Sequence, residues 1–262
     1  MLSLELTYLM NKENFMNMAL FFLGSIFSFA SMAIPKYGPQ EKPIATLLSQ
    51  DFSYFQKNAP TDFWIILPHY QGMMGSHSAS VASIVTAINS LRDPSKLTGS
   101  DENISEENIL KLDPTSSWKR KISGKKPKGI ELDEVSKLSL VAIKKYLGEQ
   151  ASAELLNSES LKKMTDDQLH QLLKDNEADA NTVMVARYIQ SAFTNDPEGA
   201  VGTYSTVGAY DKETKRVLIM ETDRKYYAPY WVSLENFKKG LLDLKSKDGK
   251  HYLGGILLVH KM

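Results

Sequence analysis

The stretch from Ser78 to Pro94, SASVASIVTAINSLRDP, leaves few ways to fold. Val81, Ile84, Val85, Ile88 and Leu91 recur at helical spacing and make one continuous apolar stripe. Ala82 and Ala87 widen that stripe, so the helix must be covered on more than one side. Such a helix needs a sheet or a second helical layer packed around it. Ser78 or Ser80 offers an N-cap at its start. Asp93-Pro94 ends it, because proline disfavours the helical conformation of the residue before it.

Around this helix the chain changes texture once. Its 262 residues suffice for one substantial domain or two packed lobes. Hydrophobic residues make up 42% and charged residues 24%, the mix of an ordinary globular protein. Residues 35–43 read as a loop, and Ile44 to Leu48 with Phe52 to Phe55 as a short helix. Phe63-Trp-Ile-Ile-Leu-Pro68 is an apolar run ended by proline, expected to be a buried strand or an extended piece. Ser105-Glu-Glu-Asn opens a helix carrying Ile109 and Leu110; further helices are expected over Leu132 to Leu147 and about Ser160 to Leu173. Between the first two of these, Lys111 to Gly129 reads as a loop rich in Pro, Gly, Ser and Lys. After Asn181 short β-branched or aromatic strands take over: Val183 to Ile189, Tyr204 to Tyr210, Arg216 to Thr222 and Tyr252 to His260. Asp211 to Thr214 connects a hairpin, and Leu234 to Leu242 is a helix lying on the sheet. The expected class is α+β, a helical lobe over about 60–180 followed by an antiparallel β lobe over about 181–262.

Charge excludes little and points nowhere. Formal net charge is zero, so no global field draws nucleic acid or an acidic membrane surface. No nucleic-acid partner is expected, and a membrane only through the N-terminal segment if that is uncleaved. Lys119, Arg120, Lys121, Lys125, Lys126 and Lys128 form a basic cluster, read first as a solvated loop and second as an anion patch. There is no cysteine, hence no thiolate metal site. His69, His77, His170, His251 and His260 show no metal-ligand spacing, so neither metal nor cofactor is expected. Met18 to Ile34 carries no charge and is strongly apolar, at the short edge of a membrane span and the long edge of a signal-peptide core. Small residues at Ser31 and Ala33, or Ser28 and Ala30, suit cleavage, but Lys12 is offset by Glu13 in a poor positive region. Residues 1–33 are thus expected to be a signal peptide or an N-terminal anchor, with residues 34–262 as the exported domain. A buried helix is the third reading of the same segment.

Several motifs resemble a known family in sequence order. Ser78 to Pro94 resembles the catalytic helix of phytochelatin synthases, papain-like cysteine transpeptidases, where the motif runs Cys-Ser-Val-Ala-Ser and then Leu-Asn-Ala-Leu. Gly202-Thr-Tyr-Ser-Thr-Val-Gly-Ala-Tyr210 resembles the family strand Gly-His-Phe-Ser-Pro-Ile-Gly-Gly-Tyr. Ile219 to Val232, IMETDRKYYAPYWV, resembles Ile-Leu-Asp-Val-Ala-Arg-Phe-Lys-Tyr-Pro-Pro-His-Trp-Val. Gly254-Gly-Ile-Leu-Leu258 stands where the family ends its core with Arg-Gly-Phe-Leu-Leu.

The resemblance implies a papain-like fold and a glutathione γ-glutamylcysteinyltransferase chemistry. In that chemistry a cysteine forms a thioester with γ-glutamylcysteine taken from glutathione, a histidine moves the proton and an aspartate orients it. Carried over residue by residue, the cysteine position is Ala79, the histidine position Thr203 and the aspartate position Glu221. The family's oxyanion glutamine falls at Met73 or Met74, with Gln71 the nearest amide. Arg224, Tyr227 and Ser78 are the positions from which substrate contact is expected. A methyl group cannot attack a carbonyl, and no histidine occurs between His170 and His251 to restore the base.

Three functions fit that pattern. The first is an inactive protein, a pseudoenzyme that keeps a cleft for glutathione or a γ-glutamyl peptide. The second is an active γ-glutamyl peptide transferase or hydrolase with a rewired site. The third is a secreted module whose former cleft binds a protein partner. A histidine or another ionisable group set against a hydroxyl at the mouth of the helix would overturn the first.

Overall fold

The computed structural model describes residues 36–39, 41–112, 116–246, 248–251 and 253–261. Lys36–Met262 is a unit by itself. Its sheet has seven strands: β1 (Ala45–Leu47), β2 (Ser152–Asn157), β3 (Thr182–Ile189), β4 (Gly202–Asp211), β5 (Arg216–Glu221), β6 (Tyr230–Ser233) and β7 (Gly255–His260). They lie in the order β1-β6-β5-β4-β3-β7-β2, and every neighbouring pair is antiparallel.

Ten α-helices occur among the described residues: α1 (Ser53–Lys57), α2 (Thr61–Ile66), α3 (Ala79–Leu91), α4 (Glu106–Leu110), α5 (Ser116–Ser123), α6 (Leu132–Leu147), α7 (Ser158–Lys163), α8 (Asp166–Ala178), α9 (Gln190–Thr194) and α10 (Leu234–Asp243). The stripe Val81, Ile84, Val85, Ile88 and Leu91 is fully enclosed, as its width requires. It packs with α6 on one face of the sheet, against Val183, Val185, Tyr204, Leu218, Met220 and Leu257. Alternate strand residues point the other way. Met184, Ala186, Tyr188, Val207, Ile219 and Tyr230 meet α8 and α10 on the second face. A sheet covered on both faces cannot show polar–apolar alternation, which explains near-continuous runs such as Val183 to Ala186. The class is α+β, as expected.

Several expectations are corrected. Phe63 to Pro68 is not extended; it forms α2 and a 3₁₀ turn over Leu67–His69. Pro60 sets the start, Asp62 sits in the first turn, and Phe63 and Ile66 bury one helical face. A five-residue apolar run fits either period, and Pro68 falls within the 3₁₀ turn that follows the helix. Ala45–Leu47 is a strand rather than a helix, because Tyr230 to Val232 supplies its partner. Lys111 to Gly129 contains α5, held by Trp118 and Ile122 one turn apart, both buried. The helix expected at Ser160 to Leu173 is two helices. Thr165 and Gln168 form a reciprocal capping box that starts the second.

Strand β2 lies inside the segment read as helical and pairs along its length with β7. It is an edge strand without β-branched residues, so its sequence carries no strand signal. The expectations for residues 1–33 and the apolar segment 18–34 lie outside the described residues. Among the described residues no helix is long and apolar enough to cross a membrane.

Candidate active site at the mouth of the buried helix

The loop before α3 is tied to the end of β5. Tyr70 donates its hydroxyl to the Glu221 carbonyl, and the Met73 amide donates to the Thr222 carbonyl at 2.8 Å. Thr222 in turn donates its hydroxyl to the Tyr204 carbonyl at 2.7 Å. These bonds hold the loop before α3 on the end of β5, but the three expected positions do not share a face. Ala79 packs with Tyr204 and Met220 on one side of the sheet, while Thr203 and Glu221 lie on the other.

Ser78 stands at the N-cap of α3, yet its side chain caps nothing. With φ −95° and ψ 10° it lacks the extended backbone that aims a cap at the first turn. Its hydroxyl turns back to the Gly75 carbonyl and to Glu106 Oε1, each at 3.1 Å, and accepts from the Gly75 amide at 3.0 Å. Ser80 does not cap either; its hydroxyl accepts the Trp118 indole N–H at 3.0 Å. Glu106 is buried, and its Oε1 also accepts the Met74 amide at 2.9 Å. Burial pushes its carboxyl above the usual range, against the pull of those two bonds. Sequence reasoning passed over Glu106. Its place on one face with Ile109 and Leu110, at spacings of three and four, was the signal available.

Glu221 is fully buried on the face opposite α3, directly across from Ser205. Its Oε2 accepts the Tyr188 hydroxyl at 2.7 Å and the Tyr230 hydroxyl at 3.1 Å. Its Oε1 accepts the Asp223 amide at 3.1 Å, with the Ser205 hydroxyl at 3.3 Å. Gln190 donates to Tyr230 at 3.1 Å and completes the network. Burial raises the Glu221 carboxyl above its ordinary value, and the bonds from Tyr188, Asp223 and Tyr230 oppose that rise. Thr203 shares this face two residues from Ser205, is half-buried, and makes no side-chain hydrogen bond among the described residues.

The other expected site residues divide. Tyr227 is buried and its hydroxyl donates to Asp196 at 2.8 Å. Arg224 is exposed, its guanidinium 5.0 Å from the centre of the Tyr70 ring, with no carboxylate in salt-bridge reach among the described residues. Gln71 is half-buried with its amide nitrogen unpartnered. His77 shares a 2.9 Å contact with Ser76 and not with Ser78. No described histidine is hydrogen-bonded to Ser78, Thr203 or Glu221. Two hollows of about 490 Å³ lie elsewhere, one beside Thr182 and His260, the other beside Met164 and Gln171.

The family model for Phytochelatin synthase matches residues 50–251, well over half of the sequence. The chain belongs to the phytochelatin synthase family. No curated protein matches it. The α+β fold with its antiparallel seven-stranded sheet fits a papain-like phytochelatin synthase domain. At the three positions carried over from the family motif, the fold presents a methyl group at Ala79 and a lone hydroxyl at Thr203. At Glu221 it presents a carboxylate whose oxygens are already bonded to neighbours on β3, β4 and β6 and to the backbone of Asp223.

Proposed function

We propose that this phytochelatin-synthase-like chain is a catalytically inert member of its family that binds glutathione or a γ-glutamyl peptide. One observation carries the inertness. The carboxylate at the orienting position spends its acceptors on Tyr188, Tyr230 and Asp223, so a base at Thr203 would find no orienting partner. With no nucleophile at Ala79 and no imidazole at Thr203, acyl transfer lacks both its attacking group and its proton carrier. Loss of one such member from a comparable triad costs about 10⁴–10⁶ in rate.

Binding is supported by two features at the same end of the sheet. The Arg224 guanidinium lies over the Tyr70 ring without a carboxylate partner among the described residues, which suits bidentate capture of a ligand carboxylate. The first-turn residues Ala79, Ser80 and Val81 of α3 are buried and receive no side-chain cap, so the positive end of the helix would favour an anionic group beside it. Calorimetry with glutathione and with γ-glutamylcysteine tests this reading. Heat saturating below millimolar ligand is expected; no heat at that concentration removes the small-molecule ligand.

The Ser78–Glu106 contact sets an ionisable group against a hydroxyl at the mouth of α3, the arrangement that counts against inactivity, and it favours a second reading, a rewired transferase or hydrolase. Its geometry argues against that. The Ser78 hydroxyl is buried, accepts the Gly75 amide, and lies within reach of two acceptors that hold its proton. Glu106 there locks the loop over residues 74–78 rather than activating an attacking oxygen. Glycine release from glutathione that disappears in Ser78→Ala would establish the second reading.

A further inference from the structure

We infer that the segment from Lys119 to Lys128 is a preformed basic knob that docks on an anionic lipid bilayer. From Pro114 to Ile130 the sequence holds six cations and no carboxylate, in a chain whose formal net charge is zero. All six side chains are exposed. Lys121 pairs with Glu134; among the described residues Lys119, Arg120, Lys125, Lys126 and Lys128 have no carboxylate in salt-bridge reach.

The knob is built rather than loose. Trp118 and Ile122 bury the inner face of α5, and the indole N–H of Trp118 bonds Ser80 on α3. The loop beyond closes on the helix: the Gly124 amide donates to the Arg120 carbonyl at 3.1 Å and the Lys128 amide to the Lys121 carbonyl at 3.0 Å. A Cβ at Gly124 would lie 2.4 Å from the Arg120 carbonyl oxygen, so this closure requires glycine. At the far end, Tyr204 donates its hydroxyl to the Ile130 carbonyl at 2.6 Å. Anchored at both ends, the five exposed cations without a carboxylate partner are concentrated within ten residues at little further cost in chain entropy.

The chemistry of the knob favours a membrane. Its one aromatic, Trp118, is fully buried, so it offers no ring on which bases can stack. Lysines without an oriented pocket suit a diffuse sheet of charged headgroups. The same chain also carries the uncharged apolar stretch Met18 to Ile34. An apolar segment with a basic patch is the two-signal arrangement that gives stable attachment where one signal alone is marginal.

Sedimentation of the full chain with vesicles tests this. Partitioning onto phosphatidylcholine vesicles holding about 30% phosphatidylglycerol is expected to exceed that onto pure phosphatidylcholine by more than tenfold, and to fall sharply in about 0.5 M salt. Lys125→Gln, Lys126→Gln and Lys128→Gln together should weaken the anionic partitioning by roughly a hundredfold, while the three lysine-to-arginine changes retain it. Equal partitioning onto both vesicle types, or an unchanged triple glutamine variant, overturns the proposal. Tighter binding to duplex RNA than to anionic vesicles at equal salt also overturns it.

Discussion

The Tyr188 hydroxyl donates to the Glu221 carboxylate at 2.7 Å inside a fully enclosed pocket formed by β3, β4, β5 and β6. Glu221 is therefore built into the core as a structural acceptor. Where a working triad leaves its carboxylate turned to an imidazole, this one faces two phenols.

That pairing predicts the cost of losing a donor. Tyr188→Phe leaves a buried carboxylate with one bond fewer and should destabilise the fold by about 1.5–3 kcal/mol. Urea denaturation of the variant and parent measures it. A change below half a kilocalorie would mean that Glu221 is protonated and indifferent to the donor.

Gly240 supports the same pocket from behind. A Cβ there would lie 2.2 Å from the Phe193 ring, which stacks on Tyr188 at 4.0 Å between centroids. In an exposed helix Gly→Ala gains about 1 kcal/mol. Here Gly240→Ala should instead cost about 1–3 kcal/mol by overpacking. Thermal unfolding gives the sign, and a raised Tm would contradict the packing described.

The fold's pH dependence should run through Glu177. Burial pushes its carboxyl up to about 7 from 4.5, while the Tyr210 amide donates to it at 2.7 Å. Asp62, buried nearby, is raised in the same direction, by burial first and by Glu177 second. A carboxyl raised in the folded state holds its proton longer than in the unfolded chain. Its contribution is complete below about pH 4.5 and is lost as pH climbs through about 7. Stability should fall by roughly 3 kcal/mol across that window, and Glu177→Gln should flatten the slope. A slope that survives Glu177→Gln unchanged places the titration elsewhere.

Arg224 should act on ligand and not on fold. Arg224→Gln is expected to weaken glutathione binding by roughly tenfold to a hundredfold, the worth of a charge-assisted bond to a carboxylate. The midpoint of unfolding should stay within error of the parent, because the guanidinium is exposed and unpaired. Calorimetry with undiminished affinity would remove Arg224 from the binding surface.

The sequence shows some of this plainly and hides the rest for identifiable reasons. The helix at Leu132–Leu147, the capped start at Ser105 and strands β3, β4, β5 and β7 follow from periodicity and capping, which are local, whereas the four-residue β6 is not read from the sequence. Strands β1 and β2 are edge strands made by their partners β6 and β7, so no local pattern announces them. The emptied positions Ala79, Thr203 and Glu221 are readable as residue types. The role of Glu221 is not, because Tyr188 and Tyr230 reach it from strands 33 and 9 residues away. Glu106 eludes reading similarly: its partner Ser78 is 28 residues upstream. Ser78 looks like a cap and is not one, since the loop bonds to Gly75 and Glu106 claim its hydroxyl first.

The most direct test of inertness is incubation of the purified full chain with glutathione, followed by mass detection of free glycine and γ-glutamylcysteine. Neither should rise above the buffer control, and Ala79→Cys alone should leave that result unchanged, because Thr203 supplies no base and Glu221 remains bonded to its tyrosines. Glycine released by the unaltered chain and lost in Ser78→Ala would contradict the account.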